Sequence, residues 1–239
     1  MALREQLVEY KCGDTLLEGF FCFDDEQPSP LPTVLISHAW GGRDDFVEKK
    51  AHRLAYHGYG VFALDMYGKG KRGATPEQSQ ALMMPFVQDR ALLARRINSA
   101  LAFVKTLPNV DARRVAAMGY CFGGMCVLDL ARSGADLRGV VSIHGLLKPN
   151  GLAPAPRIPA KILMLHGYDD PLAPPEDVLA IGKELSAASA DWQLHAYGGT
   201  MHSFTNPAAQ NPAGGMQYNE KAQRRSWHSL IQFLEEVLR

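Results

Sequence analysis

No run of apolar residues in this chain approaches the roughly 20 needed to cross a bilayer, so a membrane span is not expected. Net charge is missing as well. Its 25 basic residues balance 25 acidic ones, which leaves no electrostatic reason to expect nucleic acid or an anionic membrane surface as a partner. Cysteine is scarce: four in 239 residues, at 12, 22, 121 and 126, do not form a disulfide framework, and a reducing cytoplasm is the expected compartment. The opening Met-Ala-Leu-Arg-Glu does not read as a secretory signal. CxxC, HExxH and clustered His/Asp motifs are absent, so neither a metal site nor a cofactor is expected. What remains is the composition of a globular protein long enough for one large domain, taken as residues 1–239.

One stretch organises the rest. Val115 to Met118 is a short apolar run of the kind that fills a buried parallel strand. It breaks into Gly119-Tyr-Cys121-Phe-Gly123-Gly124 and resumes as a helix carrying Val127, Leu128, Leu130 and Ala131. Small residues two before and two after a nucleophile suit a strained strand-to-helix hairpin, where a Cβ at either flank would strike the neighbouring chain. Cys121 would then sit at the tip, with its sulfur at a helix N-terminus that favours negative charge.

The remaining elements alternate. Leu7 to Lys11 and Leu16 to Phe23 read as an antiparallel hairpin about Gly13-Asp14. A strand at 33–37 ends in His38-Ala-Trp-Gly-Gly42; Asp44 or Asp45 caps a helix with Val47, Ala51, Leu54 and Ala55 on one face. The strand Gly60 to Asp65 runs into a basic loop containing Lys69, Lys71 and Arg72. A polar segment and Pro85 precede a long helix with Leu93, Ile97, Ala100, Leu101 and Val104 in register. Strands at 140–143, 162–165 and 192–197 follow, with a helix from Pro174-Pro175 and a closing amphipathic helix around Trp227, Leu230, Ile231 and Leu234. The pattern predicts an α/β fold, a mostly parallel sheet with helices on both faces and a leading antiparallel hairpin.

In such a sheet, catalytic groups lie just past the carboxyl ends of strands. The strand at 162–165 is followed by His166-Gly-Tyr-Asp169-Asp170-Pro171, and the strand at 192–197 by Gly-Gly-Thr-Met-His202-Ser-Phe204. Nucleophile, acid, histidine is the chain order of the α/β-hydrolase triad.

With these motifs in view, the chain resembles the dienelactone hydrolase family of α/β-hydrolases over essentially its whole length. The resemblance implies the α/β-hydrolase fold with no large cap domain. It places the nucleophile on Cys121, the histidine on His202 and the acid on Asp170 rather than Asp169. His202 would take or share the thiol proton, and Asp170 would hold the imidazole. The backbone N–H groups of Trp40 and Phe122 would form the oxyanion hole, and Ala39, Trp40, Tyr67, Phe122, Phe204 and Asn206 would surround the substrate.

Two positions depart from the family pattern. Ala39 stands where the family carries a glutamate that holds the resting thiol away from the histidine, so Cys121 is expected to stay paired with His202. Asn206 stands where an arginine binds the carboxylate of dienelactone; Lys69, Lys71 or Arg72 would have to supply that charge instead. The expected activity is therefore a metal-independent hydrolysis of small neutral esters, with phosphotriesters as further substrates, since the resemblance extends to a phosphotriesterase of this family. The alternatives are a true dienelactone hydrolase (carboxymethylenebutenolidase) and a non-catalytic thiol sensor. The Pro- and Gly-containing segment 206–215 either covers the pocket or, as such loops more often do, merely connects along the surface.

Overall fold

The computed structural model describes residues 2–153, 155 and 157–239. One sheet of eight strands forms its centre: β1 (Leu3–Cys12), β2 (Thr15–Asp24), β3 (Leu31–Ser37), β4 (Gly60–Ala63), β5 (Val110–Tyr120), β6 (Gly139–Ile143), β7 (Lys161–Gly167) and β8 (Trp192–Tyr197). Their order across the sheet is β1-β2-β4-β3-β5-β6-β7-β8. The β1/β2 and β2/β4 pairs are antiparallel; every later pair is parallel. The chain thus leaves β3 toward β4 on one side and returns to β5 on the other. That reversal opens a crevice past the carboxyl ends of β3 and β5, where open α/β sheets bind ligands.

Six α-helices cover the sheet: α1 (Asp45–Ala55), α2 (Pro76–Gln88), α3 (Arg90–Val104), α4 (Phe122–Arg132), α5 (Pro175–Ala187) and α6 (Glu220–Leu238). Alternation along β5 sorts them onto two faces. Val115 and Ala117 join the core built with α3, α4 and α5, while Ala116 and Met118 join the one built with α1 and α6. Leu230, Leu234 and Leu238 of α6 recur at helical spacing and are fully buried, each contributing about 2 kcal/mol by removal from water.

The sequence reading of 74–88 needs correction. Pro85 does precede the long helix α3, but the polar segment before it is itself helical: Pro85 lies inside α2, whose N-cap Thr75 accepts a hydrogen bond from the Gln78 N–H. The break that proline imposes is absorbed four residues later, at Asp89, which ends α2 and caps α3 through its bond from the Leu92 N–H. The 206–215 segment is also more than a surface connection. It contains β9 (Gln210–Asn211) and leads through a 3₁₀ turn, Pro212–Gly214, into the paired β10 (Met216–Gln217). His202 hydrogen-bonds to this unit through both its N–H (to the Gly215 carbonyl) and its carbonyl (from the Gln217 N–H).

Candidate active site

The turn from β5 into α4 is built from close backbone contacts. A Cβ on Gly119 would lie 2.1 Å from the Gly123 carbonyl oxygen, and one on Gly123 would lie 2.2 Å from that of Ser37. Only glycine fits at either flank. Cys121 between them is forced to φ 55° and ψ −115°, a left-handed conformation that L side chains rarely adopt. The carbonyl of Cys121 accepts from the N–H groups of Gly124 and Met125, which locks the first turn of α4 behind it. The side chain therefore stands at the helix N-terminus, partly exposed and facing the crevice.

His202 and Asp170 meet from different strand ends. His202 Nδ1 and Asp170 Oδ2 are 2.7 Å apart, and both side chains are essentially inaccessible to solvent. Because the carboxylate can only accept, the imidazole proton sits on Nδ1, and Nε2 is left without a protein hydrogen bond. The other carboxylate oxygen, Oδ1, accepts from the Leu172 N–H at 2.8 Å, which fixes the acid in turn. Burial alone would push His202 toward its neutral form. Negative charge on Cys121 and the hydrogen bond to Asp170 outweigh that and lift the imidazole from 6.5 to about 10. Asp169, the other carboxylate of the pair, is exposed and makes no contact with His202.

The loop after β3 is held by two side chains whose roles the sequence did not disclose. His38 Nε2 accepts from the Met66 N–H at 3.1 Å, so its proton resides on Nδ1 and donates to the Ala39 carbonyl at 2.6 Å. Burial keeps this imidazole neutral, lowering its pKa. The Tyr67 hydroxyl donates to the Trp40 carbonyl at 2.8 Å, and the Tyr67 ring stacks on Phe122. With both carbonyls tethered, the N–H groups of Trp40 and Phe122 remain without an acceptor among the described residues. Two free N–H groups flanking a nucleophile can hold an oxyanion.

These groups border a cavity of about 430 Å³. Ala39, Trp40, Cys121, His202 and Asn206 line it. Tyr67, Phe122 and Phe204 do not: Tyr67 and Phe122 form the packing behind the loop, and Phe204 is fully buried against His144 and Tyr197. Phe46, Met83, Leu146, Leu172 and Met216 supply the apolar wall instead, with Gly214 and Met216 brought in by the 210–217 unit. Lys69, Lys71 and Arg72 are absent from the lining. Lys69 pairs with Glu9 and Glu18, and Arg72 lies 3.8 Å from Glu48.

Sequence reasoning also passed over His144. It follows β6 directly, so the same strand-end rule that found Asp170 and His202 applies to it. Its backbone is left-handed (φ 38°), its Nε2 lies 2.8 Å from the Thr205 hydroxyl, and its ring meets that of His202 edge-on at 5.2 Å. Burial, reinforced by the charge on His202, holds His144 neutral. Among the described residues no group of three or more His, Cys, Asp or Glu could hold a metal ion, and no helix is long and apolar enough to cross a membrane.

An eight-stranded, mostly parallel sheet with a nucleophile-like elbow after a central strand defines an α/β-hydrolase. The profile of the dienelactone hydrolase family matches residues 17–238, and the chain belongs to that family; it is a hydrolase acting on ester bonds. Two solved structures superpose over the full length of both chains with a TM-score of 0.95. One is named m3DLH and is 35% identical; the other is a dienelactone hydrolase-like promiscuous phosphotriesterase, P91, from metagenomic libraries, 34% identical. An uncharacterized Caenorhabditis elegans protein is 35% identical over 148 residues, spanning 61% of this chain and 94% of its own.

Proposed function

We propose that this chain is a metal-independent cysteine hydrolase of small neutral carboxylic esters, using Cys121, His202 and Asp170. The observation that carries the reading is the Asp170-bound His202, its free Nε2 and Cys121 bordering one cavity, with His202 raised by the charge on Cys121.

The thiolate of Cys121 attacks the ester carbonyl carbon, and the C=O electron pair moves onto oxygen, held by the Trp40 and Phe122 N–H groups. Such a donor contributes on the order of 3 kcal/mol in the transition state. Collapse of that intermediate breaks the ester C–O bond, and the leaving oxygen takes the proton from His202 Nε2. Acylation also removes the negative charge that helped to hold His202 protonated, so the imidazole is neutral when it is needed as a base. It then takes a proton from water, which attacks the thioester; collapse returns the thiolate and releases the acid. Asp170 keeps the tautomer correct throughout.

A neutral substrate is favoured over an anionic one because no lysine or arginine is among the described residues that line the cavity. A carboxylate-bearing lactone would lack a cation to receive it, and this weighs against dienelactone itself. A second reading, phosphotriester hydrolysis, is supported by the 34% identity to the phosphotriesterase and by the space that Ala39 leaves beside the sulfur. The test is steady release of p-nitrophenol from a short neutral ester and from an aryl phosphotriester, with chelator-treated protein compared with Cys121→Ala. Sustained turnover that falls about 10³-fold or more in the variant supports the proposal. Full activity of Cys121→Ala would overturn it, and a single burst on the phosphotriester would remove that substrate class alone.

A further inference from the structure

The cavity wall holds one formal charge besides the Cys121–His202 pair. Among the described lining residues Asp44 is the sole Asp, Glu, Lys or Arg. It lies on the loop that carries Trp40 and is exposed, and its Oδ1 caps α1 by accepting from the Val47 N–H at 3.1 Å. Its Oδ2 has no hydrogen bond from a described residue. The basic residues around this loop are engaged elsewhere: Arg43 is buried in bonds to Glu18 and Glu48, Arg72 lies 3.8 Å from Glu48, and Lys50 lies 4.9 Å from the centre of the Phe46 ring. Asp45 in the first turn of α1 adds further negative charge at this end.

An aromatic surface accompanies the carboxylate. Trp40 borders the same cavity, and no ring or cation is stacked on it among the described residues. A carboxylate and an unstacked indole on the wall of one cavity suit an ammonium group, by charge and by cation–π attraction. A cavity of 430 Å³ is roughly 9 Å across if round, about one Debye length at ordinary ionic strength, so a substrate charge anywhere inside it feels Asp44.

We propose that Asp44 and Trp40 form a subsite for a positively charged group, so that the cavity selects esters carrying an amine or quaternary ammonium over neutral ones, and neutral over anionic. This deepens the ester-hydrolase reading and rests on it. Asp44 is here a specificity-determining residue that takes no part in bond making.

The experiment uses three p-nitrophenyl esters of matched chain length: a neutral butyrate, its 4-trimethylammonio analogue and the succinate monoester. Each wild-type kcat/KM is divided by that of the neutral ester, and each ratio is compared with the same ratio in the Asp44 variants, so that the intrinsic reactivity of each ester cancels. So compared, the expected order is cationic, neutral, anionic, with at least about threefold between steps at low salt, shrinking at 0.5 M salt. In Asp44→Asn, which keeps a capping side chain, and in Asp44→Ser, which caps without the amide, the cationic ratio should fall and the anionic ratio rise by that factor while turnover of the neutral ester is unchanged. Equal ratios in wild type and both variants at low salt would overturn the subsite, with the ester activity intact. Loss of Cys121-dependent turnover of the neutral ester would instead contradict the underlying hydrolase reading.

Discussion

Cys121 occupies a backbone conformation costing about 1–3 kcal/mol, maintained because Gly119 and Gly123 leave the chain no room to relax. That strain places the Cys121 side chain on the wall of the cavity that His202 also lines. The imidazole is expected to keep its proton through neutral pH, losing it only near 10, rather than at the ordinary 6.5. In Cys121→Ala the burial penalty persists and the Asp170 bond persists, but the thiolate contribution is gone. The His202 titration, followed by NMR of the ring protons, should move to lower pH in the variant. An unchanged titration would mean that Asp170 alone sets the charge state and that the two side chains are not paired. Cys126 plays no comparable part. It is fully buried and its thiol is pushed well above the usual range by that burial, which leaves a sensor disulfide with Cys121 without a ready partner.

At the scale of elements, the site depends on how β3, β5, β7 and β8 deliver their following loops to one edge of the sheet. The loop after β3 is the least regular of these and the most heavily tethered, through His38 to Ala39 and through Tyr67 to Trp40. Tyr67→Phe removes the second tether while keeping the ring stacked on Phe122. It leaves the Trp40 carbonyl without its partner, a loss of about 1–3 kcal/mol. Activity on the neutral ester should fall about three- to tenfold in kcat, with KM little changed, because the oxyanion donor matters most in the transition state. A rise in KM with kcat preserved would show that the loop shapes binding instead. The strand-end logic that located Asp170 and His202 was legible because glycine, proline and apolar runs punctuate those loops. Helix α2 was missed because Pro85 and the polar residues before it read as a connection, and a proline three residues from a helix end looks the same in sequence as one in a loop. The 210–217 unit was hidden because two-residue strands have no periodicity to read.

For the whole molecule, the fold and the principal side chains of the site could be read from motifs, but the pocket walls could not. Tyr67 and Phe204 are aromatic residues near catalytic motifs, and sequence proximity placed them in the pocket. Burial places Tyr67 behind the loop that follows β3 and Phe204 in the core against His144. Their places are taken by Phe46, Met83, Leu146 and Leu172, which come from four separate segments that only the folded chain brings together. A cavity lined largely by apolar side chains, with Cys121 and His202 on its wall and no lysine or arginine among its described lining residues, is the arrangement from which the proposed ester activity is inferred. The direct test is to mix the protein with excess neutral p-nitrophenyl ester, quench in acid within the first turnovers and weigh the intact chain and its peptides. The expected result is one acyl group as a thioester on Cys121, absent from Cys121→Ala. It should accumulate further in His202→Ala after prolonged incubation, where water is no longer activated. Turnover with no acyl adduct on Cys121, or an adduct confined to another residue, would contradict the covalent mechanism.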